Sequence, residues 1–232
     1  VIELYQAHWF TVFIVCATLL VPPLYWFVIL PREKALRLAW ITLLVGGAAA
    51  TAVLFNVMQY LGPAGGVLIL GMWFVPAALV WRYRLWFGKI EQRNLIALQC
   101  FRAIGAVFLI EMARGYVAPT FAWPAGIGDI IVGVLALYLI LNYQTIPRWG
   151  VASVLILGVI DFASAFFFGF TSLPGPAQLF AIGFENNVNL FPTGLIPLFL
   201  VPYAIMFHVL SFAQLREGHV ATRVQSRARS GR

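Results

Sequence analysis

Seven runs of about 20 residues, each nearly free of charge, follow one another along a chain of 232 residues. A run of that length matches the roughly 30 Å of hydrocarbon in a bilayer, which a helix crosses at about 1.5 Å per residue. In lipid, a backbone N–H or C=O has no water to bond, so each run has to satisfy its own backbone as a helix. The predicted fold class is therefore all-α, a polytopic membrane bundle of about seven transmembrane helices. The spans are expected at 8–30, 36–55, 67–86, 95–116, 126–141, 149–170 and 190–214. Only 10% of the residues are charged, whereas a soluble domain carries about 25%. Residues 1–215 read as one transmembrane domain and residues 216–232 as a basic tail without fixed structure. The first run lacks a preceding basic region and is too long for a signal-peptide core, so no cleavable signal is expected.

Orientation follows from arginine and lysine. Arg32, Lys34 and Arg37 fall between the first two spans, and Arg82, Arg84, Lys89 and Arg93 around the third connection. Arg148 falls between spans five and six, and Arg216, Arg223, Arg227, Arg229 and Arg232 at the tail. In a seven-span arrangement these thirteen of the fifteen basic residues share one side. The positive-inside rule makes that side cytoplasmic and puts the N-terminus outside. Tryptophans such as Trp9, Trp40, Trp86 and Trp149 lie near the expected span ends, as an aromatic belt would. The net charge of +7 is accounted for by topology and by anionic lipid headgroups, so lipid and not nucleic acid is the expected partner. The expected location is the plasma membrane, a bacterial inner membrane.

Ionisable side chains inside the spans are costly and call for a reason. Glu111 and Arg114 stand three apart on the fourth span, on one face and able to pair. Asp129 lies about one turn inside the outer end of span five, and Asp161 near the middle of span six. Small residues accompany both aspartates at helical spacing, Gly126 and Gly133 around the first and Gly158 and Ala165 around the second, which marks the side a neighbouring helix approaches. At 1.5 Å per residue, Glu111 and Asp129 lie roughly 6–8 Å below the outer surface and Asp161 roughly 13 Å. These residues predict a polar pocket in the outer half of the bundle, built by spans four to seven and covered by Glu185 and Asn186 of the long loop 171–189. Three acids against one arginine leave charge to be neutralised by protons, a cation or a donor-rich ligand. Arg102, nine residues before Glu111 and on the opposite face, is expected to extend to the inner headgroups. The apolar piece 177–184 of the long loop is expected at the membrane interface or folded back into the bundle.

Pro192, Pro197 and Pro202 loosen the seventh span and release backbone carbonyls, as in many transporter sites. His208 on the same span is a candidate proton relay. His8 lies near the opposite end, His219 in the tail, and no ligand cluster for a metal is expected. Cys16 and Cys100 sit in apolar stretches as small core residues, and no cofactor is implied.

Gly126-Ile127-Gly128-Asp129 resembles the G-x-G-D pattern of intramembrane aspartyl proteases. That resemblance implies a second catalytic aspartate on another span, for which Asp161 is the candidate. In those proteases the partner precedes the motif, whereas Asp161 follows it, and their Pro-Ala-Leu motif is missing. Seven spans with the N-terminus outside are similar to the rhodopsins. The only lysines are Lys34 and Lys89, both in loops, which excludes a retinal Schiff base. The leading expectation is a protein that binds or transports a small molecule or ion through Glu111, Arg114, Asp129 and Asp161. A receptor or an accessory subunit of a membrane complex is the second expectation, consistent with short loops and possible oligomerisation. An aspartyl enzyme is the third.

Overall fold

The computed structural model describes residues 8–61, 63–88, 90–184 and 186–230, with side chains as far as residue 216 except at residue 63. Among these residues the chain is all-helical, with no strand. Seven helices are long and apolar enough to cross a membrane: Trp9–Ile29, Arg32–Leu54, Ala64–Arg82, Gln92–Ala113, Pro119–Leu141, Arg148–Thr171 and Ile196–Arg216. They run 19 to 24 residues, the length the hydrocarbon core demands.

Prolines set several of the boundaries. The first span is two helices, Trp9–Thr18 and Val21–Ile29, and Pro22 and Pro23 lie in the first turn of the second, where a missing N–H costs little. Pro31, Ala118 and Pro147 precede the second, fifth and sixth spans. The seventh span begins later than its apolar run. Residues 191–194 are turns, held by Gly194 N–H to the Leu190 carbonyl (2.7 Å) and Ile196 N–H to the Thr193 carbonyl (3.0 Å). A wide π turn, Ile196–Leu200, follows around Pro197, whose missing N–H removes an α-helical bond and lets the turn widen. From Val201 the backbone stays helical to Ser230, past the point where the sequence placed an unstructured tail. Beyond residue 215 it includes four arginines, Arg216, Arg223, Arg227 and Arg229, and two alanines, Ala221 and Ala228, which favour helix, while Gly218 opposes it.

Spans four, five and six pack as a row, three lies along seven, and one along two. Span seven also packs against four and joins the groups. Thr42 fixes one such junction, because its hydroxyl accepts the indole N–H of the buried Trp26 (2.9 Å) and the Tyr203 hydroxyl (3.0 Å). Gly46 of the second span admits the Phe199 ring, which would lie 3.1 Å from a methyl group at that position.

The arginine-rich connections share one end. Lys34 donates to the Trp86 carbonyl and lies 4.5 Å over the Trp86 ring. Gln214 donates to the Gly88 carbonyl (3.2 Å) and Arg148 to that of Leu215 (3.5 Å). His8, Tyr116, Thr120 and the long loop occupy the other end. Within that loop, Leu179 and Phe180 both donate N–H to the Thr171 carbonyl, which folds 177–184 back on the end of span six. Phe180 packs against Phe167 and Phe168, while Leu179 and Ile182 stay exposed.

Candidate functional site

Three neighbouring spans each contribute a charge and a glycine to one buried cluster. Arg102 of span four donates from Nε to Asp129 Oδ1 of span five (2.8 Å) and from Nη2 to Asp161 Oδ2 of span six. Its Nη1 points to the Gly158 carbonyl at 3.5 Å. The glycines make the approach possible. A methyl group at Gly105 would overlap Asp129, and one at Gly128 would overlap the Asp161 carboxylate. One at Gly158 would overlap His208 and lie 2.8 Å from Arg102 Nη1. The guanidinium also stacks on Phe162, 3.9 Å from the ring centre, adding a cation–π contact.

Arg102 is only 2% exposed, which corrects the expectation that it reaches the inner headgroups. A 3-10 stretch, Gln99–Gly105, carries it through the middle of span four. With two carboxylates across from it, the ion pairs and cation–π contact replace the headgroups it would otherwise seek. A guanidinium forks naturally between two acceptors in this way. With both acids ionised the pair carries one negative charge more than Arg102 neutralises, and one proton on the pair removes that excess; Asp161 Oδ1 has no donor bonded to it.

The cluster forms the floor of a cavity of about 510 Å³. Trp73 of span three, Phe108, Phe121, Phe162, Phe166 and Phe170 make its walls. Trp73 is held in place by its N–H to the Pro197 carbonyl (2.8 Å) in the π turn, so that carbonyl already has a protein partner. Gln59 and the loop residues Asn186, Asn187 and Asn189 supply polar groups towards the other end. Asn186 accepts the Ala118 N–H at 3.2 Å, and its own Nδ2 is buried without a partner. Both acids are buried and both line the cavity.

Glu111 and Arg114 belong elsewhere, and the expected four-residue pocket divides in two. Glu111 is fully buried and accepts from His8 Nδ1, from the Thr11 hydroxyl and from Arg114 Nη1 (2.8 Å). Neither Glu111 nor Arg114 lines the cavity. Tyr116 covers His8 at 4.6 Å between ring centres and donates its hydroxyl to the Phe191 carbonyl. Burial first, and the Glu111 charge second, push the Tyr116 phenol up to about 12. The physical reason for the division is rotation. Glu111 and Arg102 lie on different faces of one helix, and each face met its own partners.

Of the residues expected at the site, Asp129, Asp161 and Asn186 line the cavity. His208 lies just beneath it, against Gly158 and the edge of Phe162. Glu185 falls outside the described residues. Arg102 is the residue that sequence reasoning missed. The available signal was its position two turns inside an apolar span, level with neither end. The two aspartates that the G-x-G-D resemblance pairs do converge, but Arg102 binds an oxygen of each, which removes those atoms from acid–base exchange with a substrate. No group of three metal-ligating side chains occurs among the described residues.

Residues 59–216 match the profile of a domain of unknown function, DUF8737, well over half the chain. The chain belongs to the DUF8737 family. The DUF8737 match begins at Gln59, just ahead of span three, and ends with span seven, so it contains Arg102, Asp129, Asp161, His208 and all of the cavity lining except Met58. The first two spans, with His8 and Thr11, precede it. No curated protein and no solved structure matches the chain.

Proposed function

We propose that this DUF8737 protein is a transmembrane binding protein or carrier for a small organic cation. The N-terminus and the cavity mouth face the outside, and the arginine-rich loops face the cytoplasm of a bacterial inner membrane. One observation carries the reading: an aromatic-walled cavity ends on two carboxylates that share a single guanidinium. The rings offer an apolar body both area and cation–π attraction. Two acids on one guanidinium at the floor favour a cationic or donor-bearing end group, which both Asp129 and Asp161 face. The Asn186 amide and Gln59 would bond a polar group at the other end of the ligand.

The test uses tetraphenylphosphonium, a lipophilic cation, with purified protein in nanodiscs. Saturable binding is expected, weakened at least tenfold, about 1.4 kcal/mol, by Asp129→Asn and by Trp73→Ala. Equal binding by Asp129→Asn and the parent protein would remove the acid pair from the proposal. A C-terminal tag reached by protease only after the membrane is opened is the expected orientation result.

A further inference from the structure

Among the described residues, six buried side-chain atoms lack a hydrogen-bond partner, and five of them follow one line. They are Asp161 Oδ1, both ring nitrogens of His208, and the Oε1 atoms of Gln99 and Gln92. Their links run through intermediate residues: Arg102 at Gly158, and Ala204 and Ser211 on the span that carries His208. Asp161 is bonded to Arg102, and Arg102 and His208 crowd onto Gly158 from two sides. On span seven, His208 lies between Ala204, whose carbonyl takes the Gln99 amide (3.4 Å), and Ser211, whose hydroxyl takes the Gln92 amide. Gln92 opens span four at the arginine-rich end. The line therefore runs from the cavity floor to the opposite end of the bundle.

Isolated polar atoms inside an apolar bundle are selected against. A run of them joining a carboxylate to the far end calls for something that moves along it. His208 is suited to this. Neither ring nitrogen has a partner, and a neutral imidazole carries one N–H donor and one acceptor nitrogen. A proton taken up at the acceptor nitrogen, followed by release of the proton on the other, restores the neutral ring in the other tautomer.

We propose that the acid pair Asp129–Asp161 exchanges protons with the arginine-rich end of the bundle through His208, by way of Gln99, Ser211 and Gln92. The proton leaves a carboxyl oxygen of the pair, is taken by a nitrogen of His208, and is passed on from the other nitrogen towards Gln92, with water completing the gaps. The charged group facing the ring is Arg102 of the fourth span, and Asp129 of the fifth and Asp161 of the sixth stand behind it, bonded to its guanidinium. Tyr25 of the first span gives its hydroxyl to the Asn94 carbonyl, and Tyr203 of the seventh gives its own to Thr42. The third span carries no charged side chain before Arg82, and Cys100 of the fourth packs into a separate apolar cluster. Arg102 opposes a proton on His208, and the two carboxyl groups bonded to Arg102 offset that charge in part. The pathway stands whether or not a cation binds in the cavity, and its test is run without one.

The protein is reconstituted with known orientation in liposomes, and the carboxyl absorption of the acid pair is followed by infrared difference spectroscopy after a pH step on one side. Asp129→Asn and Asp161→Asn identify the band. The band is expected to follow a step applied at the arginine-rich side. The response should be slower by at least about 100-fold in His208→Leu, the scale on which a positioned proton carrier acts. His208→Gln, which keeps a polar side chain of similar size, should be equally slow. A band that follows only the cavity-side pH, or follows neither side, would overturn the proposal. So would a wild-type rate in either His208 variant. Cation binding measured on the same samples separates this failure from a failure of the binding proposal.

Discussion

The molecule buries charge in two places, and the two are built differently. At the end carrying His8, Glu111 is surrounded by an imidazole, a hydroxyl and a guanidinium, and both of its oxygens are bonded. In the middle of the bundle two carboxylates share Arg102, one oxygen has no partner, and a cavity opens beside them. The first arrangement is closed: it ties span one to span four with its donors and acceptors satisfied. The second is open: two acids share one cation, and an unbonded oxygen remains. A buried ion pair is thus not a site by itself. The unbonded oxygen and the space next to it distinguish the central cluster.

That distinction can be broken or sharpened by substitution. The largest effect is expected from Arg102→Met, which leaves two buried acids without their cation and should cost about 3–5 kcal/mol in unfolding measurements. Adding Asp161→Asn should return part of the loss. If Arg102→Met unfolds no more easily than the parent, the central cluster is not an ion-pair core. Gly128→Ala comes next, because its methyl group overlaps the Asp161 carboxylate. It should destabilise by about 1–3 kcal/mol and weaken binding of tetraphenylphosphonium, whereas Gly47→Ala, with open space around it, should stay within about 0.5 kcal/mol.

Glu111→Gln tests the closed cluster. A stability loss of about 1–3 kcal/mol is expected, together with cation binding equal to the parent. Weakened binding there would mean the two clusters act as one. The smallest change is expected from Trp73→Phe, which keeps an aromatic wall and removes the bond to the Pro197 carbonyl. About 1 kcal/mol should be lost, and cation affinity should change less than for Trp73→Ala.

Much of this architecture is readable along the chain, and the places where reading stops share a cause. Gly126 and Gly133 mark the side of span five that meets span four, and the structure sets them against Leu109 and Ala103. Asp129 and Asp161 stand out because a carboxylate in an apolar run is rare. Arg114 drew attention by standing three residues from Glu111, and that pair forms. With Arg102 assigned to the headgroups, Arg114 is the one arginine remaining as the cation for three acids. Arg102 holds that position, and its partners lie 27 and 59 residues away. The 3-10 stretch of span four adds a second obstacle, since a helical wheel drawn at 3.6 residues per turn misplaces faces beyond it.

By itself the sequence determined the number of spans, their helical form and the gathering of basic loops at one end, because these depend on local quantities: apolar length, backbone satisfaction within a segment, and the count of arginines between segments. Tertiary structure alone decided which cation neutralises which acids, that the embedded charges separate into a closed and an open cluster, and that an aromatic cavity stands on the open one. Those outcomes depend on the rotation and depth of each helix relative to its neighbours, which follow from side-chain packing across spans distant along the chain.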